Sequence, residues 1–298
     1  MITLEALEKI FGENGEGHFN YLIAKNRGGV NNSKGNTYEN FFTIYQIAKS
    51  FNQGPDRKNA LFSSQVVCFI DDLVIETIEE RRNWYYQIKD VRKLDWDDRE
   101  ANAIKDDFMH QHVVCSSQGI EAFMRLVVSG NEVYDHLVLT KPDDIRDIVR
   151  VINFETATSL SNLIRQNPLL REELVKMCAL KNPSIDKLEV LGAIILGAWD
   201  STDKKKVPLT VLLNKCFNQN PHYIKGFSDK ISDKLADILN SLRGFSYVIE
   251  GGFLKWTFGS TDEGVLSFRI GSMEFEQWEN DLFNVRIETF EDLEPFLA

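Results

Sequence analysis

Apolar residues recur at helical spacing over Phe41, Ile44, Tyr45, Ala48 and Phe51, while Glu39 and Gln46 lie on another face of the same periodic stretch. The pattern predicts a helix that starts after Thr37, a residue suited to an N-cap, and ends near Gln53-Gly54-Pro55. Residues 12–36, rich in Gly and Asn, read as a loop ahead of it. Residues 64–78 are dense in Val, Ile, Phe and Leu and predict a buried strand bent at Asp71-Asp72. After the charged turn Glu79-Glu80-Arg81-Arg82, residues 83–91 predict a second strand. The two form an antiparallel hairpin in which residue numbers of opposed positions have a constant sum, so that a turn centred near residue 80 pairs residue 72 with about residue 88 and sets Asp72 beside Gln87 and Lys89.

Beyond the hairpin, residues 97–112 read as helix and 133–140 as strand. The pattern then turns helical over 143–152, 158–166, 169–179 and 185–199. Two more helices within 204–243 precede a hairpin over 245–258 and 265–270, the outline of a winged helix. The expected fold class is therefore α/β, with an N-terminal α/β domain over 1–141 and a mostly α-helical C-terminal domain over 142–298 ending in a winged-helix-like hairpin.

Composition narrows the function. In 298 residues, 34 Lys and Arg stand against 45 Asp and Glu, a formal charge of −11, and 43% of the chain is hydrophobic, which suits a folded protein. The longest nearly uncharged apolar run, 190–199, is about half of a membrane-spanning helix, so no membrane partner is expected. The first residues lack a basic-then-apolar leader pattern, and a cytoplasmic location follows as the expectation. Cys68, Cys115, Cys178 and Cys216 have no spacing suited to zinc or to a disulfide framework. Polyanion binding is dominated by cations, and the chain is acidic. Two routes to DNA remain: the local excess of eight Lys and Arg over three Asp within 204–243, or assembly with itself or with a more basic partner.

The chemistry sits in Asp71-Asp72-Leu73-Val74-Ile75 and Gln87-Ile88-Lys89. Side chains two apart on a strand share a face, so Gln87 and Lys89 point together. A hard divalent cation such as Mg²⁺ or Mn²⁺ takes oxygen ligands, which Asp72, the Gln87 side-chain oxygen and Glu39 could supply, with Lys89 placed to hold the attacking water. His110 and His112 lie on different faces of a helix and make no metal pair, and Trp84, Tyr85 and Tyr86 read as sheet packing. The loop Gly28 to Asn36, with Lys34, lacks a phosphate-loop pattern.

An acid, a hairpin and a Gln-x-Lys on the second strand, with a glutamate on the preceding helix, resemble the PD-(D/E)xK restriction-endonuclease-like superfamily. Within it, Gly28-Gly29 with the helix that follows, Asp71 to Ile75 and Tyr86 to Lys89 look most like the nuclease domains of bacterial antiphage effectors. These are the nucleases of cyclic-oligonucleotide defence systems and the nuclease subunit of Lamassu, which works with an SMC-like ATPase. The resemblance covers residues 20–140. It implies a Mg²⁺-dependent endodeoxyribonuclease acting on double-stranded DNA with little sequence specificity, active as an oligomer or in a defence complex. It maps the metal-binding acid to Asp72, with Asp71 as the competing register, the helix glutamate to Glu39, the amide position to Gln87 and the lysine to Lys89. No Pro precedes the Asp, and Gln stands where an acid is commoner, which leaves the number of metals open. A non-catalytic DNA-binding or structural subunit built on the 204–243 segment is the alternative.

Overall fold

A computed structural model describes residues 2–30, 33–53, 59–97, 103–220, 223–225, 230–250 and 252–297, with backbone alone for 28–30, 33–36 and 273. Helix α1 (Leu4–Phe11) begins where the Thr3 hydroxyl accepts from the Ala6 N–H. The chain then reverses into α2 (Gly15–Val30), and the two helices press so close that a Cβ on Gly15 would fall 2.5 Å from the Glu8 backbone. Only glycine permits that approach.

Helix α3 (Ser33–Asn52) is the central helix. Its apolar residues reach well beyond the stripe expected from sequence: Tyr38, Phe42 and Ile47 are buried along with Phe41, Ile44, Tyr45, Ala48 and Phe51. The cause is that α3 lies between the sheet and the helices Pro168–Met177 and Ile185–Asp200.

The sheet consists of β1 (Ala60–Ser63), β2 (Leu73–Thr77), β3 (Arg82–Lys89), β4 (Glu121–Val128), β5 (Val149–Asn153) and β6 (Val207–Pro208), in the order β5-β4-β3-β2-β1-β6. Neighbours from β3 to β6 are antiparallel, and β3, β4 and β5 are parallel. On one face lie α3 and the helices α6 (Leu160–Gln166), α7 (Pro168–Met177), α8 (Ile185–Asp200) and α9 (Leu209–Gln219). On the other lie α4 (Ile104–Ser117) and α5 (Asn131–Leu139). Residues 231–297 build a separate core from α10 (Asp233–Ser241), the antiparallel strands β7 (Phe245–Glu250), β8 (Phe253–Phe258) and β9 (Asp262–Arg269), α11 (Met273–Phe283) and α12 (Phe290–Leu293).

The hairpin is where the sequence places it, with Leu73 opposite Tyr86, so that residue 72 faces 87 rather than 88. Several expectations are corrected. Residues 15–30 are helical rather than a loop, because Leu22 is buried and Lys25 is anchored by acids, contacts that outweigh the poor helix propensity of Gly and Asn. Thr37 is internal to α3, while Asn31 and Asn32 lie outside the described residues. Residues 64–72 form an irregular segment, and the strand begins only at Leu73. Residues 131–139 are helix, since Val133 and Leu137, four apart, both bury against the sheet. The missing strands are β4 and β5, so 149–153 is strand, not helix.

The boundary expected at 141 falls within one sheet: β5 pairs with β4, β6 pairs with β1, and one apolar core joins residues 38–88 to 154–224. The helix pair of the winged-helix outline is split, with α9 in that core and α10 in the C-terminal one. Among the described residues no helix is long and apolar enough to cross a membrane.

Candidate active site

Asp72 stands at the mouth of the hairpin, 5% exposed. Because β2 and β3 pair Leu73 with Tyr86, the next step outward sets the Asp72 carboxylate against the end of β3. Its Oδ2 accepts from the Ile88 N–H at 2.7 Å and from the Gln87 Nε2, and lies 3.6 Å from the Lys89 Nζ. The Lys89 side chain is 36% exposed, so the ammonium is tethered to a buried acid and open to water. Asp72 is thus the acid that meets Gln87 and Lys89. Asp71 turns the other way, to the Lys25 Nζ at 3.3 Å.

Glu39 reaches the same place from α3. The Gln65 side-chain amide donates to Glu39 Oε2 at 2.9 Å and to Asp72 Oδ1 at 3.3 Å, tying the two carboxylates together. Burial, and then the nearby charge of Asp72, push the Glu39 carboxyl up to about 7. Burial, opposed by Lys25 and reinforced by Asp72, pushes Asp71 up to about 6.

Gln65 was not singled out from sequence. Its backbone is left-handed, φ 52°, its carbonyl accepts from Asn26 Nδ2 at 2.5 Å, and its side-chain Oε1 is buried without a hydrogen-bond partner. A non-glycine residue held in that region, with an unsatisfied buried oxygen, is a local strain of the kind found at functional sites. Lys204 and Lys206 share the left-handed conformation, and their loop is stitched to the same segment: Ser64 N–H donates to the Lys204 carbonyl and Lys206 N–H to the Ser63 hydroxyl, both at 2.9 Å. The Lys204 Nζ lies 2.7 Å from Asp200 Oδ1 and 3.3 Å from Asn40 Oδ1, the residue that follows Glu39 in α3. Part of the basic segment is thereby brought to the site.

Lys25 was also missed. Its ammonium donates to Asp107 Oδ2 at 2.8 Å, to the Phe69 carbonyl at 2.5 Å and to Gln87 Oε1 at 3.2 Å. Burial alone would lower its pKa, but Asp71 and Asp107 outweigh that and hold it charged. Asp107 accepts from the Tyr21 hydroxyl as well, at 3.0 Å. The network assigns Gln87 a different role from the one expected. Its oxygen is engaged by Lys25 and its nitrogen faces Asp72, so it links two charged groups by hydrogen bonds and its oxygen does not point at the acid as a co-ligand. Nothing in the local sequence could reveal this, because Lys25 is 62 positions from Gln87 and 82 from Asp107.

Among the described residues no group of three or more His, Cys, Asp and Glu is arranged to hold a metal. Asp72 and Glu39 do fit a hard cation in part, as two neighbouring carboxylates whose mutual repulsion a positive ion would relieve. His110 does not pair with His112 but with His18 of α2, ring centroids 4.4 Å apart, and among the described residues no acid completes a ligand set there. Trp84 stacks on Phe123 and Tyr85 and Tyr86 are buried in the sheet, as expected.

No protein-family model matches the chain, and no curated protein or solved structure matches it.

Proposed function

We propose that the protein is a metal-dependent DNA endonuclease of the restriction-endonuclease-like kind, its site at the mouth of the β2–β3 hairpin. The observation that carries this reading is the convergence of a buried acid, Asp72, with the partly exposed Lys89 and with Glu39 from the preceding helix. Helix, three antiparallel strands, helix and parallel strand follow one another from α3 to β4 and put these groups at one sheet end. Asp72 and Glu39 would hold Mg²⁺ or Mn²⁺, which when bound supplies Lewis-acid activation of water and phosphate. Lys89 orients the water that attacks phosphorus and offsets the negative charge growing on the phosphoryl oxygens as the P–O bond to the leaving oxygen breaks. The Ile88 N–H and the Gln87 amide fix the Asp72 rotamer, so the carboxylate is set before substrate arrives. The Lys204–Lys206 loop, hydrogen-bonded through its backbone to Ser63 and Ser64, would offer phosphate contacts once the Lys204 and Lys206 ammonium groups leave Asp200 and Glu76.

With a net charge of −11, we read the isolated chain as a poor DNA binder that cleaves when assembled, with itself or with a partner such as an SMC-like ATPase, in antiphage defence. Supercoiled plasmid incubated with the assembled protein, as oligomer or with that partner, should be nicked and linearised with Mg²⁺ and left intact with chelator, and dilute monomeric protein alone should leave it uncut. Lys89→Ala and Asp72→Asn should abolish the cleavage. Cleavage by either variant, or cleavage in chelator, would refute the assignment.

A further inference from the structure

Four oxygens converge on the Lys25 Nζ: Asp107 Oδ2 at 2.8 Å, the Phe69 carbonyl at 2.5 Å, Gln87 Oε1 at 3.2 Å and Asp71 Oδ1 at 3.3 Å. Two carboxylates, a main-chain carbonyl and an amide oxygen are the donor types that hard divalent cations take from proteins. They come from the 69–71 segment, from β3 and from α4, whereas the ammonium is brought by α2. Tyr21 and Lys25, four apart on one face of α2, both reach Asp107, and Leu22 of the same turn is buried. The match is incomplete. Asp71 is 2% exposed, yet its Oδ1 makes no hydrogen bond and meets Lys25 only as an ion pair. Two carboxylates face one ammonium, a deficit of one positive charge. Burial, opposed by Lys25 and reinforced by Asp72, accordingly pushes Asp71 up to about 6.

A divalent ion would supply the missing charge and use all four oxygens. The Lys25 side chain is 18% exposed, which leaves a path from solvent. We propose that the Lys25 ammonium occupies a divalent-cation site, and that without this side chain the cage of Asp71, Asp107, Phe69 and Gln87 binds a hard ion such as Mn²⁺. Held on α2, the amine competes with dissolved ions at the high effective concentration of an intramolecular group, so it keeps the place in the wild-type chain. Gln87 joins the cage to the neighbouring carboxylate pair, its Oε1 on Lys25 and its Nε2 on Asp72. An ion at Asp72 and Glu39 rests on the nuclease reading, and the cage does not.

The test is equilibrium dialysis of the full chain against Mn²⁺, with the bound ions counted per protein. Wild type should bind one ion, at Asp72 and Glu39, and Lys25→Ala should bind two. Lys25→Met removes the charge but leaves a side chain of similar length in the cage, and should bind one. Saturating Mn²⁺ should also raise the melting temperature of Lys25→Ala by about 5 °C more than that of wild type. Because Lys25→Ala leaves two buried acids uncompensated in chelator, the double variant Lys25→Ala/Asp107→Asn is measured beside it. It keeps an oxygen at position 107 with one charge fewer, and should bind one ion more than Asp107→Asn alone. A wild type that binds no ion beside a Lys25→Ala that binds one would support the cage while refuting the metal at Asp72. Equal counts in wild type and Lys25→Ala, two ions in wild type, an extra ion in Lys25→Met, or equal counts in the two Asp107→Asn proteins would each overturn the proposal.

Discussion

Lys25 neutralises two buried acids at once, Asp71 and Asp107, and also donates to Gln87. Lys25→Met would leave both carboxylates uncompensated, so urea denaturation should show a loss of about 3–5 kcal/mol. Adding Asp107→Leu should recover part of that loss, a coupling that a double-mutant cycle would measure. Asp72 calls for the same care. Asp72→Ala would strand the buried Ile88 N–H at a cost of about 1–3 kcal/mol, whereas Asp72→Asn keeps an acceptor and is the cleaner test of chemistry. Glu39 and Asp71 have folded-state pKa values raised to about 7 and about 6, from ordinary values of 4.5 and 3.8. The native state therefore holds protons that the unfolded chain has already released. Their contribution to stability is fully present below the unfolded values and is lost as pH rises through the folded ones. In chelator, thermal unfolding followed from pH 4.5 to 8 should show wild-type stability falling over this window, and Glu39→Gln should flatten the fall. An equally steep fall in Glu39→Gln would mean that Glu39 does not titrate as described.

At the scale of elements, α8 shows why a glycine can sit inside a helix. A Cβ on Gly192 would come within 2.7 Å of Ile164 Cδ1, so a side chain there would have to push aside the end of Ile164 where α6 packs on α8. Gly192→Val should cost about 1–3 kcal/mol by overpacking, read as a lower denaturation midpoint with unchanged slope. The β2–β3 hairpin was legible because its two runs are dense in β-branched, aliphatic and aromatic residues and are separated by a charged turn, and the end of α3 was legible from Gly54 and Pro55. Helices α2 and α5 were not. In α2 the glycines and asparagines signal a loop, and only its packing on α1 and α4 and the anchoring of Lys25 overrule them. In α5 the alternation of Val133, Leu137 and their neighbours imitates a strand until the sheet claims positions four apart.

For the whole molecule, the second core uses residues 231–297 alone, and among the described residues one link to the rest is Arg269, whose guanidinium lies 4.7 Å from the ring of Phe253 in β8 and 4.4 Å from the Phe217 ring of α9. A fragment spanning 231–297 should therefore unfold cooperatively on its own when followed by circular dichroism. A featureless melt would show that this core depends on the sheet domain. The sequence alone determined the hairpin, the acid and lysine on it, and the glutamate helix upstream, because local periodicity and a constant-sum register are properties of neighbouring residues. Only the tertiary structure decided that Gln65 bridges Glu39 to Asp72, that Lys25 turns Gln87 from a ligand into a hydrogen-bonded link, and that the sheet runs through residue 141. Those outcomes depend on burial and on charges that meet across dozens of residues, where the energy of desolvating an ion, which no local pattern records, sets which groups must pair.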